Sequence, residues 1–149
     1  MKFEFSAGGI VFRQAQDFGS KPQFSEKRIE ILVCQHSQHH GWVFPKGLIG
    51  DHVENEQKEE TAVREVKEET GIDAKIKKEL TPVSYWYVLD EEKVKKTVYY
   101  FIMKYVGGDI TNHDHEMEEV EWIEYNDVLD KLTYPSDKKV WKEARELVK

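Results

Sequence analysis

The segment that most restricts the fold is residues 56–70, where the pattern is helical while the segments on either side favour strands. Ala62, Val63 and Val66 provide an apolar side, most other positions are charged, and Gly71 follows as a suitable C-terminal cap. A helix in a β-rich chain must bury its apolar side against other elements. We therefore expect an α/β fold in which helices flank a mixed β-sheet.

The rest of the chain supplies strands and two closing helices. Residues 74–88 and 93–106 are rich in β-formers and are predicted to form a hairpin with a fairly long turn. The other predicted strands are residues 3–12, 28–35 and 120–125, the predicted loops are 14–27 and 36–41, and the predicted helices are 127–132 and 137–148.

Length and cysteine content indicate a single domain in a reducing compartment. A chain of 149 residues fits one domain, residues 1–149, and is long enough to bury a core. The one cysteine, Cys34, cannot form an internal disulfide, so we expect the cytoplasm. The sequence has neither a run of about 18 apolar residues nor the apolar stretch of a signal peptide, so no membrane association is expected.

The charge distribution argues against nucleic-acid binding. The net charge is −7, and residues 51–72 hold 8 acidic and 3 basic side chains. Such a field repels DNA and RNA, so no DNA partner is expected. It repels a free nucleotide as well, so a polyanion would bind the acidic segment only after cations had neutralised it.

Three glutamates share one side of the predicted helix. Glu68 lies about 60° to one side of Glu65, and Glu69 about 40° to the other side. Like charges at these spacings cost about 0.2–0.5 kcal/mol each. A hard divalent cation removes that repulsion, and magnesium keeps coordination positions open for water and substrate phosphates. On the cluster alone, a solvated acidic helix face is the commoner explanation.

The spacing of fixed residues in this segment favours a metal site over a solvated acidic face. From Gly50 to Ile72 the chain reads Gly-x5-Glu-x7-Arg-Glu-apolar-x-Glu-Glu-x-Gly-apolar. Seven fixed residues coincide by chance with a probability on the order of 10⁻⁹ per starting position. The segment resembles the motif of the Nudix hydrolases. Further segments that resemble the family are Ala7-Gly8-Gly9, Trp42 to Gly47, and Glu116-x-x-Glu119-Val120-x-Trp122.

The resemblance implies a fold and a reaction. The fold is an α/β/α sandwich with a mixed sheet between helices, and the reaction is Mg²⁺-dependent hydrolysis of a diphosphate linkage in a nucleotide substrate, with Mn²⁺ as a substitute metal. Phe44-Pro45-Lys46-Gly47 and the pair Tyr85 and Tyr87 resemble the branch that cleaves diadenosine tetraphosphate asymmetrically to ATP and AMP. The alternatives are a damaged nucleoside triphosphate, a nucleotide sugar, a capped RNA 5′ end, or a non-catalytic nucleotide-binding module.

The resemblance also assigns metal ligands. Glu65, Glu68 and Glu69 are the expected ligands, together with a backbone carbonyl that precedes the helix. Relatives use the glycine of the Pro-Lys-Gly run, which is Gly47 here, whereas the literal motif spacing is met by Gly50. A three-residue insertion explains the difference and favours Gly47.

The same comparison assigns the remaining catalytic groups. Arg64 is expected to pair with Glu65, and Glu56 supports the helix start or the metal. The general base is Glu65 or Glu116, with Glu116 also a candidate metal ligand. Because loop register is uncertain in sequence, Glu118 and Glu119 stay open as alternatives to Glu116.

Substrate contacts are expected from the lysine of the Pro-Lys-Gly run and from the strands after the helix. The candidates are Lys46 and Lys95 for phosphate, with Lys93 and Lys96 beside it, and Tyr85 and Tyr87 for stacking on a base. Surface exposure of the lysines and core packing of the tyrosines are the alternatives. His36, His39 and His40 fit no zinc spacing.

Overall fold

The computed structural model describes residues 1–15, 28–50 and 53–148. Its strands are β1 (Lys2–Ala15), β2 (Arg28–His36), β3 (Trp42–Val43), β4 (Lys46–Leu48), β5 (Ile72–Glu79), β6 (Val83–Leu89), β7 (Glu92–Gly108) and β8 (Met117–Glu124). Its helices are α1 (Lys58–Thr70), α2 (Val128–Lys131) and α3 (Pro135–Val148). The predicted loop 14–27 lies outside the described residues except for positions 14 and 15, which belong to β1. No helix in the described ranges is long and apolar enough to cross a membrane.

The eight strands form one mixed sheet. Its main path runs β3-β2-β1-β7-β5, with β4 on β1, β6 on β7 and β8 on β2. Strands β1 and β7 are parallel, and the other strand pairs among the described residues are antiparallel. The long β7 pairs with β6 through its first half and with β5 through its second half.

Helices cover both faces of this sheet, which confirms the expected α/β/α architecture. On one face, Ala62 and Val66 of α1 belong to a core with Phe101 of β7. On the other face, Trp141 of α3 belongs to a second core with Phe44. Burial of each large apolar side chain stabilises the fold by about 1.5–3 kcal/mol. The acidic helix is thereby fixed rigidly against the sheet.

Helix α1 ends as the sequence predicts. Gly71 has φ +79°, and its N–H donates to the carbonyl of Lys67 at 2.8 Å. Only glycine adopts this left-handed conformation without strain. The prediction for Val63 was wrong: this side chain is 36% exposed, because it lies about 100° around the helix from the buried Ala62. The buried side of α1 instead includes Glu65 and Glu69.

The region after α1 differs from the prediction in two respects. Residues 74–88 are two strands, β5 and β6, separated by a break at 80–82, where Pro82 has no N–H to donate to a neighbouring strand. The turn from β6 to β7 is short, since Asp90 and Glu91 both adopt positive φ, 50° and 66°. Two such residues form a tight hairpin turn whose twist matches that of the strands.

Candidate active site

A cleft of about 780 Å³ opens where α1, β4, β6 and β7 meet the loop before β8. Its described lining brings the predicted glutamates together with groups distant in sequence. The polar and charged side chains around it are His36, His39, Lys46, Glu65, Lys67, Glu68, Glu69, Tyr85, Lys96, Asn112, Asp114 and Glu116, and Gly47 contributes backbone.

Two of the helix glutamates are buried at the floor of this cleft. Glu65 and Glu69 are 6% and 5% exposed. Glu69 Oε1 accepts a hydrogen bond from the backbone N–H of Lys46 at 3.0 Å. Burial raises the pKa of Glu69 well above its usual value, against that hydrogen bond, which lowers it. A buried carboxylate of this kind is costly without a cation, so the arrangement favours one.

Gly47 lies directly on the carboxylate of Glu65. A Cβ at position 47 would overlap the Glu65 carboxyl group, so any side chain there would displace it. Gly50 has φ +76°, and among the described residues the nearest atom to its ideal Cβ is Val53 O at 3.8 Å. Gly47 is therefore the glycine that contacts Glu65, whereas Gly50 lies in the turn before α1.

Arg64 lies behind the cleft and fixes the glutamates. Its Nη1 donates to Glu65 Oε1 at 2.9 Å and to Glu68 Oε2 at 3.1 Å. Its Nε and Nη2 donate to both oxygens of Glu56, at 2.8 and 2.9 Å. Glu56 does not line the cleft and its side chain is 4% exposed, so it acts as the anchor of Arg64.

Replacing Glu56 should destabilise the fold in a pH-dependent way. Chiefly because of its hydrogen bonds from Arg64, the pKa of Glu56 is lowered from 4.5 to about 2. Its contribution is therefore present above pH 4.5 and is lost as the pH falls towards 2. Glu56→Gln should lower the free energy of unfolding by about 1–3 kcal/mol at pH 7. Urea denaturation should show that deficit shrinking at pH 3, whereas the exposed Glu59→Gln control should stay near wild type.

Hydrogen bonds of the loop before β8 place its acids at the cleft. Asp114 N–H donates to the carbonyl of Glu68 at 3.0 Å, and Ser37 N–H donates to the carbonyl of Glu116 at 3.0 Å. Asp114 and Glu116 therefore border the cleft. Glu118 is turned to His40 Nδ1 at 2.8 Å and, like Glu119, is absent from the described lining.

Two lysines line the cleft together with these acids. Lys46 comes from β4, and Lys96 comes from β7, where it lies next to Tyr85 in register. Among the described residues, neither ammonium forms an ion pair. Burial, and then the charge of Lys46, lowers the pKa of Lys96. An unpaired lysine pair in a partly buried site is suited to an anionic ligand.

Lys95, predicted to contact phosphate, lies outside the cleft. Its Nζ is 5.8 Å from the ring centroid of Trp86, on the opposite face of the sheet. Successive side chains of a strand point to opposite faces, so Lys96 and not Lys95 reaches the cleft. Both lysines were candidates from the sequence, and the alternation of side chains along β7 shows which of them lines the cleft.

The two tyrosines also separate. Tyr85 lines the cleft, and burial raises its pKa. Tyr87 shares the same strand face, with the two ring centroids 6.5 Å apart, but it lies towards the end of β6 and outside the cleft of its own chain. The predicted pair therefore supplies one aromatic group to the site.

A second cavity of about 470 Å³ continues from the cleft and shares His39, Val43, Lys46 and Tyr85 with it. It has aromatic walls and one buried carboxylate, Asp137, whose Oδ1 accepts from Phe44 N–H and the Tyr100 hydroxyl, both at 3.4 Å. Burial raises the pKa of Asp137. Sequence reasoning missed this residue because the first turn of α3 meets the second cavity only through tertiary packing.

The donor set fits a hard cation by its chemistry. Glutamate oxygens are ligands that magnesium prefers, and the Glu68 side chain is 41% exposed to the cleft. Within the described ranges, no three acidic, histidine or cysteine side chains already form a metal site. Arg64 and the Lys46 N–H hold the carboxylates instead, so a cation would compete with these partners.

Comparison with known proteins identifies the family. The NUDIX domain model matches residues 23–144. The chain belongs to the Nudix family. Nudix hydrolases generally use divalent cations and act on small pyrophosphate-linked nucleotides. The cleft glutamates of this chain stand at the positions of the family motif.

Two curated relatives are of mycobacterial origin. The chain is 37% identical over 146 residues to the "Putative mutator protein MutT4" of Mycobacterium tuberculosis (strain CDC 1551 / Oshkosh), covering 97% of this chain and 56% of that protein. It is 30% identical over 135 residues to the "8-oxo-(d)GTP phosphatase" of Mycolicibacterium smegmatis, covering 91% of this chain and 39% of that protein. The chain thus spans about half or less of the length of these relatives.

Solved structures agree on the fold. A Caenorhabditis elegans Ap4A hydrolase in a binary complex superimposes with a TM-score of 0.74 at 22% identity, covering 97% of both chains. The NUDIX domain of Shewanella oneidensis NrtR, complexed with ADP ribose, superimposes with a TM-score of 0.71 at 18% identity, covering all of this chain and 90% of the other.

Proposed function

We propose that this chain hydrolyses a diphosphate linkage in a nucleoside carrying three or more phosphates, using Mg²⁺ or Mn²⁺. The supporting observation is that one cleft brings three carboxylates and two lysines together. Glu65, Glu68 and Glu69 line it together with Lys46 and Lys96, neither of which forms an ion pair with any residue that the structure describes. Two such lysines favour a longer phosphate chain over a single diphosphate.

Each residue has a role in this reaction. Glu65, Glu68 and Glu69 would hold the cation, which would supply neutralising charge for the phosphates and activation of water. Glu116 accepts the proton of the attacking water, and Glu65 is the alternative base. Arg64, held by Glu56, keeps Glu65 and Glu68 oriented towards the cleft. Lys46 and Lys96 hold phosphate oxygens, and Tyr85 stacks on the base beside the second cavity.

Two substrates meet this description. Diadenosine tetraphosphate, cleaved asymmetrically to ATP and AMP, is supported by the Pro-Lys-Gly run and by Tyr85. An oxidised purine nucleoside triphosphate is supported by the name of the Mycolicibacterium smegmatis relative, an 8-oxo-(d)GTP phosphatase. Both substrates carry the chain of three or more phosphates that Lys46 and Lys96 are proposed to bind.

A substrate panel with product analysis tests the proposal. In magnesium, diadenosine tetraphosphate or 8-oxo-dGTP should be cleaved at least tenfold faster than ADP-ribose, and EDTA should abolish the reaction. Preference for ADP-ribose would overturn the substrate class. No cleavage of any compound in the presence of magnesium would overturn the hydrolase itself.

Neighbouring lysines provide a matched test of the phosphate side. Lys96→Met should raise KM about tenfold or more, because a charge-assisted contact contributes about 1.5–3 kcal/mol. Lys95→Met, on the opposite face of the same strand, should leave KM within twofold. Steady-state kinetics on the preferred substrate measure both, and equal effects would remove Lys96 from the site.

A further inference from the structure

Strand β6 is an unprotected edge of the sheet. It pairs with β7 along one side in unbroken register, and no other described strand pairs with its opposite side. Its sequence, Val-Ser-Tyr-Trp-Tyr-Val-Leu, contains no charge and no proline. The edge strand β5, which pairs with the second half of β7, carries three lysines and two register shifts against β7. Charges and bulges are the features that usually keep an edge from pairing.

Exposed apolar side chains concentrate around this edge. Six of the ten exposed large apolar side chains among the described residues lie on β6 or on the start of β1, and together they form what we call the β6 patch: Met1, Phe3, Phe5, Trp86, Val88 and Leu89. Trp86 is 54% exposed and Val88 67%. A cavity of about 360 Å³ lies among Met1, Trp86, Tyr87, Val88 and Lys93. Trp86 and Val88 project to one face of the sheet and Leu89 to the other, so exposed apolar side chains lie on both sides of this edge. Exposed apolar surface of this kind indicates an interaction surface.

We propose that β6 pairs antiparallel with β6 of a second copy of this chain, with Trp86 on the twofold axis. In this register Tyr85 lies opposite the partner subunit's Tyr87, and every cross-strand pair is uncharged. Aromatic and β-branched pairs of this kind contribute about 0.2–1 kcal/mol each.

The charges near the edge favour this second copy and this orientation. The acidic turn at Asp90 and Glu91 follows β6 directly, so antiparallel pairing places the two turns at opposite ends, whereas parallel pairing places them together. Lys93 and Lys95 lie on β7, at least three strand spacings from their counterparts in the dimer, or about 14 Å or more. That separation exceeds the Debye length of about 8 Å at physiological salt.

The pairing would bring Tyr87 to the active-site cleft of the second copy. Directly opposed residues of an antiparallel pair project to the same face, and Tyr85 projects into the cleft of its own chain. Tyr87 of each copy therefore borders the cleft of the other copy. This part rests on the proposed function, because it makes Tyr87 a substrate contact in trans.

Sedimentation velocity between 5 and 500 µM tests the dimer. Wild type should reach twice the 17.6 kDa mass of the chain, and Trp86→Lys should remain monomeric with an unchanged melting temperature. Val106→Lys, an exposed apolar position on β7 outside the β6 patch, should still dimerise. A monomer throughout, a dimer that survives Trp86→Lys, or open-ended oligomers would each overturn the proposal.

Calorimetric binding of a nonhydrolysable ATP analogue tests Tyr87. Tyr87→Ala should weaken binding several-fold in the dimer and leave it unchanged in the Trp86→Lys background. Equal losses in both backgrounds, or no binding by wild type, would overturn the role in trans. The mass measurement stands apart from activity, so failure of the hydrolase proposal and failure of the dimer are distinguishable.

Discussion

Glu69→Gln should lower kcat by at least about 10³-fold, or about 4 kcal/mol of transition-state stabilisation. Glu69 is buried at the cleft floor and is tied to Lys46 through a 3.0 Å hydrogen bond. Glutamine keeps the volume and one acceptor oxygen but removes the negative charge that a cation requires. The fold should persist, because a neutral amide is easier to bury than a carboxylate.

Glu59→Gln is the matched control for that substitution. Glu59 lies on the first turn of the same helix and is exposed outside the cleft. Its kcat should stay within about twofold of wild type, since one exposed charge contributes little. Steady-state rates with saturating magnesium, together with circular dichroism of both variants, provide the comparison. A Glu69→Gln enzyme with wild-type turnover would remove this residue from the metal site.

Glu116→Gln should reduce kcat by roughly 10²–10⁴-fold, the usual contribution of a general base. The residue borders the cleft because its carbonyl accepts from Ser37 N–H while the neighbouring Asp114 is bonded to the end of α1. The acidic limb of the pH–rate profile should be lost in the variant, because that limb reports ionisation of the base.

Glu118→Gln is the control that distinguishes a specific base at Glu116 from an effect of the loop's overall negative charge. Glu118 is two residues away but is bonded to His40, outside the cleft lining. Its replacement should change kcat less than about threefold. A loss that small for Glu116→Gln, with the acidic limb retained, would transfer the role to Glu65.

The part of the site that could be predicted from sequence is the part built by one helix. Helical geometry alone places Glu65, Glu68 and Glu69 on neighbouring positions, and the structure brings all three to one cleft. Gly71 marked the helix end for a similar reason, since few residues other than glycine tolerate φ +79°. Helical geometry therefore predicted the grouping of the glutamates, whereas their assignment as metal ligands came from the motif spacing and the resemblance to the Nudix family.

The strands were harder to assign because a side chain's face depends on parity and pairing. A shift of one residue in the strand register decides whether Lys95 or Lys96 projects towards the cleft. A run of neighbouring lysines does not indicate which of them faces that side. The sequence correctly predicted that Tyr85 and Tyr87 share one face of β6 and that Trp86 lies on the other face. Their distance from the cleft was unpredictable, since it depends on where β6 pairs along the 17-residue β7.

Residues from distant segments could not be placed from sequence. Asp114 reaches the cleft through a hydrogen bond to the end of α1, and Asp137 reaches the second cavity through the packing of α3 against Phe44. Neither has a spacing that marks it. The contact between Gly47 and Glu65 was likewise visible only in the structure.

Paramagnetic broadening by Mn²⁺ tests the central claim most directly, because it reports where a cation binds before any turnover is measured. We expect amide signals of Gly47, Glu65 and Glu69 to broaden first on titration, and the same sample to cleave diadenosine tetraphosphate or 8-oxo-dGTP when substrate is added. Broadening elsewhere on the chain, or a bound cation at this cleft without cleavage of either compound, would contradict the account.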